Sequence, residues 1–436
     1  MKSIILLILY SAGWMIAIGR AFWLISDTKI SRDIYLKAFS WIVFCIPMGK
    51  LILFSVPGLL GFKISFLLWS LMALVSVVMW MSFGVVRVRY FLIIVAVMFF
   101  PIFSLIVRGE LSGLLVYTAD EQTDSLLARV ISLAILVLLA VHTVYFSNRG
   151  HFRYLVRSFV DGIVAAACVG VFIFVCVYLG VIGVDDLAPI SADTHIVDIV
   201  YRFNPGGNVN EFGLLAIYGL FLFRIGYPET TRRHSAIVMG LLYFGLFFSL
   251  TRAAWIAYAG ALIVMASVGK ESRKFVFLGV TIFAVLVGLI YQINDDFAQI
   301  VSSRFALEGG ASGDERIEKV TAAFLSGNTP MVEMLFGHGW ATNLYLHSVP
   351  LQLAYETGVV GYLFLSLLYC LIGLQLILRS KTSMSVITLP LLGCWVAFSI
   401  DSSLHHTIYH MQTWFVLGLE IFAIFEVKKN RMGVPG

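Results

Sequence analysis

Four arginines stand in short polar segments between apolar stretches of the chain, where they could bind an anion. They are Arg202 in YRFNPGGNVNEFG, Arg252 in SLTRAAW, Arg304 in SSRF and Arg316 in SGDERIEKV. A guanidinium group presents a planar fork of donors that suits phosphate or carboxylate oxygens. The four residues therefore indicate a phosphate clamp. For each arginine taken alone, snorkelling or pairing with a nearby acid is the alternative interpretation.

Three further residues are candidates for proton transfer or ligand binding. His347 opens the run HSVPLQLAYETGVVG, and histidine is the side chain best suited to take a proton from a hydroxyl near neutral pH. A single histidine at such a boundary can also be a helix cap. Glu356 follows in apolar surroundings, where an ionisable group is costly and is a functional candidate. His338, in LFGHGW, is flanked by glycines that would let a backbone approach a ligand.

The sequence lacks the motifs of several other classes of protein. The sequence has no GxxxxGK[ST] phosphate loop and no GxSxG elbow, which argues against an ATP-driven pump and an ordinary serine hydrolase. His406 and His410 have the i, i+4 spacing of a metal pair, but Asp401 is the one carboxylate near them. We therefore predict no metal site and no cofactor.

Composition indicates which elements must position these side chains. Apolar residues make up 60% of the 436 residues and charged ones 13%, whereas soluble domains have about 45–50% and about 25%. The net charge of +5 could suggest nucleic acid, but the basic residues cluster between apolar runs, as topology signals do. We predict an integral membrane protein that does not bind nucleic acid. The cysteines lie in apolar segments and are interpreted as packing residues.

The apolar runs predict an all-α polytopic protein with about twelve or thirteen transmembrane helices, because a helix needs about 20 apolar residues to cross the hydrocarbon core. Basic connectors, which lie on the cytoplasmic side, alternate with acidic or neutral ones. The arginine and histidine candidates fall on the other side. We treat residues 1–436 as a single membrane domain. The predicted spans are 4–25, 38–60, 64–86, 90–107, 126–146, 158–182, 211–226, 235–250, 253–269, 275–293, 358–378, 385–400 and 408–427.

One outer connector, residues 294–347, is long enough to fold, and it is net acidic. Residues 314–325 have a helix-favouring composition, with Ser312 or Asp314 available as the N-cap. We expect short helices in this loop, lying on the membrane surface.

Three stretches, taken in order, resemble the O-antigen ligase and O-antigen polymerase superfamily. They are RFNPGGNVNEFG, FFSLTRAAWIA, and SGDERIEKVTAAFLSGNTPMVEMLFGHGW followed by LHSVPLQLAYETGVVGYLFL. The last stretch fits a family pattern of histidine, a small polar residue, nine residues and then Gly-x-x-Gly, here His347, Ser348, Gly358 and Gly361. Ser348 stands where the family commonly has asparagine. The similarity covers roughly residues 200–425.

This resemblance implies a GT-C-like fold and a metal-independent inverting glycosyltransferase, with its active site on the periplasmic side of the bacterial inner membrane. The donor would be an undecaprenyl-diphosphate-linked oligosaccharide and the acceptor a glycan or the lipid A-core, with membrane lipids and a chain-length regulator as further partners. Arg252 and Arg316 would hold the diphosphate and His347 would activate the acceptor, while Arg202 is a weaker match. The chain departs from the family in the residues Ser249-Leu250-Thr251, since serine often directly precedes the family arginine.

Several functions remain open. Within the superfamily, a polymerase joins one lipid-linked glycan to another and a ligase joins it to lipid A-core. We expect the polymerase, which is the more varied branch, and the net acidic loop does not suit core phosphates. A flippase for lipid-linked sugars would show inverted repeats and midplane charges such as Lys50 and Arg129, and we find no repeat. A scaffold would lose nothing when Arg252 or His347 is changed.

Overall fold

The computed structural model of the chain is almost entirely helical in the part that it describes. The described residues are 2–26, 33–48, 103, 126–183, 185–187, 196–197, 200–205, 209–268, 273, 277, 279–281, 284–285, 288, 318–324, 331–339, 346, 348–382, 384–405 and 410–425. The helices are α1 (Lys2–Ser26), α2 (Ile34–Cys45), α3 (Leu126–Phe146), α4 (Phe152–Tyr178), α5 (Val209–Gly226), α6 (Arg232–Phe248), α7 (Arg252–Val268), α8 (Met331–Phe336), α9 (Val349–Ser380), α10 (Ser385–Ser402) and α11 (Met411–Phe425).

The remaining regular elements are short. Strands β1 (Ile196–Val197) and β2 (Val200–Tyr201) form an antiparallel pair in the connector before α5. Within the long loop, residues 318–324 and α8 are helical, which confirms the expected short helices there.

The lengths of the helices confirm an all-α membrane protein. Four segments of the described chain are long and apolar enough to cross a bilayer: Ile4–Ser26, Leu133–Tyr178, Val349–Ser380 and Ser385–Ser402. The second of these spans the C-terminal part of α3 and all of α4, which are separated where Gly150 adopts a φ of 91°. The total of twelve or thirteen spans stays a prediction, because the spans predicted at 64–86 and 90–107 lie almost wholly outside the described residues.

Helix α5 is the centre of the described bundle. Its residues 212–223 are buried on all faces, with Leu214, Tyr218 and Phe221 each at most 2% exposed. A helix that is apolar all round belongs in the interior of a bundle. It packs against α4 and α6 on one side and against α7 and α10 on the other, and α10 in turn packs against α9 and α11.

The predicted spans match several helices closely but misplace the start of α9. Span 126–146 coincides with α3, and span 211–226 begins two residues inside α5. Span 358–378 begins too late, because α9 starts at Val349. The residues between contain Gln352, Glu356 and Thr357, which lower the local hydropathy although all three are buried. Hydropathy alone therefore leaves out the turns of α9 that precede the break at Gly358.

Candidate functional site

Arg202 binds the turn that joins α6 to α7. Its Nε donates to the backbone oxygen of Ser249 at 2.8 Å, and one terminal nitrogen donates to Thr251 Oγ1 at 3.0 Å and to Asn210 Oδ1 at 3.3 Å. The side chain is 8% exposed. Buried guanidinium donors that meet fixed oxygen acceptors hold a backbone in one geometry. Arg202 therefore positions the turn, and its predicted contact with a diphosphate stays a prediction.

The turn is strained and is held from two sides. Leu250 has a φ of 52°, a left-handed conformation that is uncommon outside glycine and persists where its surroundings impose it. The side chain of Leu250 is 1% exposed. The backbone N–H of Phe203 donates to the oxygen of Phe248 at 2.8 Å, beside the contacts of Arg202. The connector before α5 and the side chain of Arg202 together fix the turn.

Arg252 is the first residue of α7, directly after this turn, and its side chain is exposed. The N-terminus of a helix carries positive partial charge and N–H groups without partners inside the helix. A cation there is disfavoured unless an anion is close, whereas an anion is bound by both the helix end and the guanidinium. The fixed turn, the helix end and Arg252 together form a candidate site for a phosphate group.

Polar contacts join the start of α5 to the turn before Arg252, and the start of α11 to α5. Asn210, in the first turn of α5, accepts from Thr251 Oγ1 at 3.3 Å as well as from Arg202. The next residue, Glu211, pairs with His410 Nε2 at 3.2 Å, just before α11. We call this region the site end of the bundle: the starts of α5, α7 and α11 and the end of α6.

Two histidines of the last connector, His405 and His410, have carboxylate partners. His410 pairs with Glu211, and His405 Nδ1 lies 3.0 Å from Asp401 Oδ1 at the end of α10. Among the described residues no group of three or more histidine, cysteine or acidic side chains could hold a metal ion. His406, which has the i, i+4 spacing to His410, lies outside the described residues.

The start of α9 is fixed by Gln352. Its Oε1 accepts from the backbone N–H of Leu346 at 3.0 Å, and its Nε2 donates to Glu356 Oε1 at 2.7 Å. Gln352 is 1% exposed and Glu356 is fully buried. His347 itself lies outside the described residues, but both neighbours, Leu346 and Ser348, are buried. Through Gln352, Glu356 therefore helps to hold the backbone N–H of Leu346, directly before position 347.

The start of α9 lines a cavity together with the end of α10 and the start of α11. Val349, Pro350 and Leu353 share one cavity with Ser402 at the end of α10 and Thr413 at the start of α11. The structure thus brings Arg202 together with Asn210 and the turn before Arg252. Arg304 and Arg316 lie outside the described residues.

The segment around His338 docks on a break in α9. Gly358 interrupts the helix with φ 67° and ψ 179°, which frees backbone oxygens of the preceding turn. His338 N donates to the oxygen of Tyr355 at 2.8 Å, and Gly339 N donates to the oxygen of Glu356 at 3.0 Å. The glycines around His338 thus let the backbone approach α9.

The ring of His338 is part of the same contact. It stacks on Tyr355 with ring centroids 4.0 Å apart, and its Nε2 lies 3.1 Å from Glu333 Oε2. These contacts give His338 a structural role in joining α8 to α9. A catalytic or binding role for it stays a prediction.

Replacing Gly358 by alanine should lower stability strongly. A Cβ atom there would lie 2.3 Å from the backbone oxygen of Leu335, and the conformation itself is essentially restricted to glycine. We expect a loss of at least about 2 kcal/mol, measured as a lower melting temperature of the purified protein in detergent. Gly240→Ala is the matched control, because a Cβ atom at Gly240 meets no atom within 4 Å. Equal melting temperatures of the two variants would show that the break at Gly358 is not required.

Sequence reasoning missed Asn210, Thr251 and Gln352. The signal for Gln352 was present, since Gln352 and Glu356 have the i, i+4 spacing of helix neighbours. Asn210 and Thr251 lie within the two arginine motifs, but their contact depends on two segments about forty residues apart in the chain, which no local pattern reveals.

Comparison with known proteins gives no match: neither a protein-family model nor a curated protein sequence corresponds to this chain.

Proposed function

We propose that the chain is a metal-independent, inverting glycosyltransferase of the bacterial inner membrane that uses an undecaprenyl-diphosphate-linked glycan at the periplasmic face. The observation that carries the proposal is the turn fixed by Arg202, which presents Arg252 at the start of α7. A fixed cation beside a helix N-terminus suits a diphosphate. The motif resemblance supplies the lipid carrier and the sugar chemistry.

The proposed reaction is a single displacement at the anomeric carbon of the donor sugar. An acceptor hydroxyl oxygen forms the new bond to that carbon while the bond to the diphosphate oxygen breaks, which inverts the configuration. His347 takes the hydroxyl proton, and undecaprenyl diphosphate leaves with the bonding electrons. Arg252 and Arg316 stabilise the negative charge that builds on the leaving oxygens, and they need little reorganisation when they are already in place.

Among the two acceptors, a second lipid-linked glycan fits this chain better than lipid A-core. Residues 294–347, which would face the acceptor, are net acidic, and like charges repel the phosphates of a core oligosaccharide. We therefore assign the polymerase reaction, which lengthens a surface polysaccharide such as O-antigen. The ligase reaction is the second candidate because it uses the same donor and the same residues.

Glycan profiles of cells that lack the gene distinguish these activities. Loss of a polymerase leaves core capped by a single repeat unit, whereas loss of a ligase leaves bare core and accumulates lipid-linked polymer. Complementation with wild type, Arg252→Ala, Arg316→Ala and His347→Ala at matched expression then tests the mechanism. Full rescue by all three variants would contradict the proposed site, and an unchanged profile in the null strain would contradict the function.

Gln352→Leu should lower the transfer rate without weakening donor binding. The change removes the hydrogen bonds to Leu346 and Glu356, so the backbone beside position 347 loses its restraint. Since a displacement of about 1 Å can cost up to about 100-fold in rate, we expect kcat to fall by at least about tenfold and KM for the donor to stay unchanged. Gln375→Leu is the control, as an exposed residue of the same helix. A raised donor KM with unchanged kcat would argue against this positioning role.

A further inference from the structure

A cavity of about 390 Å³ lies between α9, α10 and α11, away from the arginine turn. Its volume is in the range of pockets that hold small ligands, about 300–1,000 Å³. The walls are mainly apolar and rich in aromatic rings, among them Tyr218, Tyr369, Trp395, Phe398 and Trp414. The cavity extends from the start of α9, at Val349, to Cys370 and Glu420 in the middle of α9 and α11.

Three polar groups of the α9 and α10 walls have partners within the protein. Tyr369 donates its hydroxyl to the backbone oxygen of Trp395 at 3.1 Å, and the indole N–H of Trp395 donates to the oxygen of Tyr369 at 3.2 Å. Ser399 Oγ also donates to the oxygen of Trp395, at 2.8 Å. These groups need nothing from a ligand.

Glu420 differs from them. It lines the cavity from α11 and is 3% exposed, in the apolar sequence VLGLEIFAIF. Within the described part of the chain, its carboxyl group has no hydrogen bond and no ion pair. A carboxyl group buried in apolar surroundings is costly unless it is paired. Its carboxyl group can therefore accept a hydrogen bond from a molecule that enters the cavity.

We propose that this cavity binds a lipophilic organic cation, with its ammonium group on Glu420. A carboxylate accepts a charge-assisted hydrogen bond from an ammonium group, and such bonds are stronger than neutral ones. The faces of tryptophan and tyrosine rings attract a cation that has lost its water. The apolar walls cover the hydrocarbon part of the ligand. A purely apolar chain would fill the cavity but leave Glu420 without a donor. The site is independent of the proposed glycosyl transfer.

The test compares two probes that differ only in the group presented to Glu420. Octylammonium and 1-octanol have the same chain, and their binding to the purified full-length protein in dodecyl maltoside is measured by titration calorimetry. We expect wild type to bind octylammonium at least about tenfold more tightly than octanol. Glu420→Gln keeps the size of the side chain, and it should remove this preference while leaving octanol binding within about twofold.

Three results would overturn the proposal. Equal binding of both probes to wild type would show that the cavity takes apolar chains without regard to charge, and this comparison needs no variant to fold. No binding of either probe would exclude a ligand site for this class of molecule. Persistence of the octylammonium preference in Glu420→Gln would place the cation elsewhere.

Discussion

Replacing Arg252 by alanine is expected to lower kcat/KM for glycan transfer by about 100- to 1,000-fold, the usual cost of removing a fixed group that stabilises developing negative charge. The residue is exposed at the first position of α7, and the turn before it is held by Arg202. The loss of one guanidinium group therefore leaves the scaffold in place. Steady-state rates with purified protein and lipid-linked donor measure the effect.

The control for this variant is Arg232→Ala. Arg232 is also exposed and is also the first residue of a helix, but it lies at the opposite end of α6 from the turn. We expect its rate to match wild type. Arg252→Lys should recover part of the activity, because lysine keeps the charge but lacks the planar fork. Equal losses in Arg232→Ala and Arg252→Ala would mean that the arginines act through general membrane topology and not through a phosphate site.

The second large effect is expected for His347→Gln. Loss of a general base costs about 100- to 10,000-fold in rate, and the proposed base acts on the acceptor and not on the donor. The variant should therefore keep the KM for the donor while kcat falls. A base works only when it is not protonated, so the wild-type rate should decline as the pH falls through the pKa of the base, and the variant should lose this decline.

The matched control is His234→Gln, at an exposed histidine near the start of α6. Its rate and pH profile should be those of wild type. If His347→Gln retained the wild-type pH profile with a uniformly lower rate, His347 would be a structural cap of α9 and another group would take the proton.

The sequence predicts the helical scaffold better than it predicts the contacts that build the site. Apolar runs locate α3, α5 and α10 to within a few residues, because length and hydropathy decide whether a segment can cross a membrane. The same reasoning places Arg252 in a short turn between two helices, which the structure confirms. It misses the first turns of α9, where Gln352 and Glu356 are buried.

The role of Arg202 shows why the site itself needs the structure. Its motif indicates an anion-binding residue, yet its contacts with Ser249 and Thr251 join segments almost fifty residues apart in the chain. A guanidinium group has the same donors whether it binds a phosphate or a backbone turn. Which of these it meets is decided by tertiary packing, which periodicity does not report.

The most direct test of the proposed function is a turnover assay with the purified full-length protein. The substrate is the lipid-linked glycan isolated from cells that lack the gene, and the buffer contains EDTA. The proposed function predicts that each new glycosidic bond releases one undecaprenyl diphosphate, that the configuration of the linked sugar is inverted, and that Arg252→Ala abolishes most of the release. A wild-type protein that binds the lipid-linked glycan, or moves it across a vesicle membrane, without releasing undecaprenyl diphosphate would contradict a glycosyltransferase and identify a carrier instead.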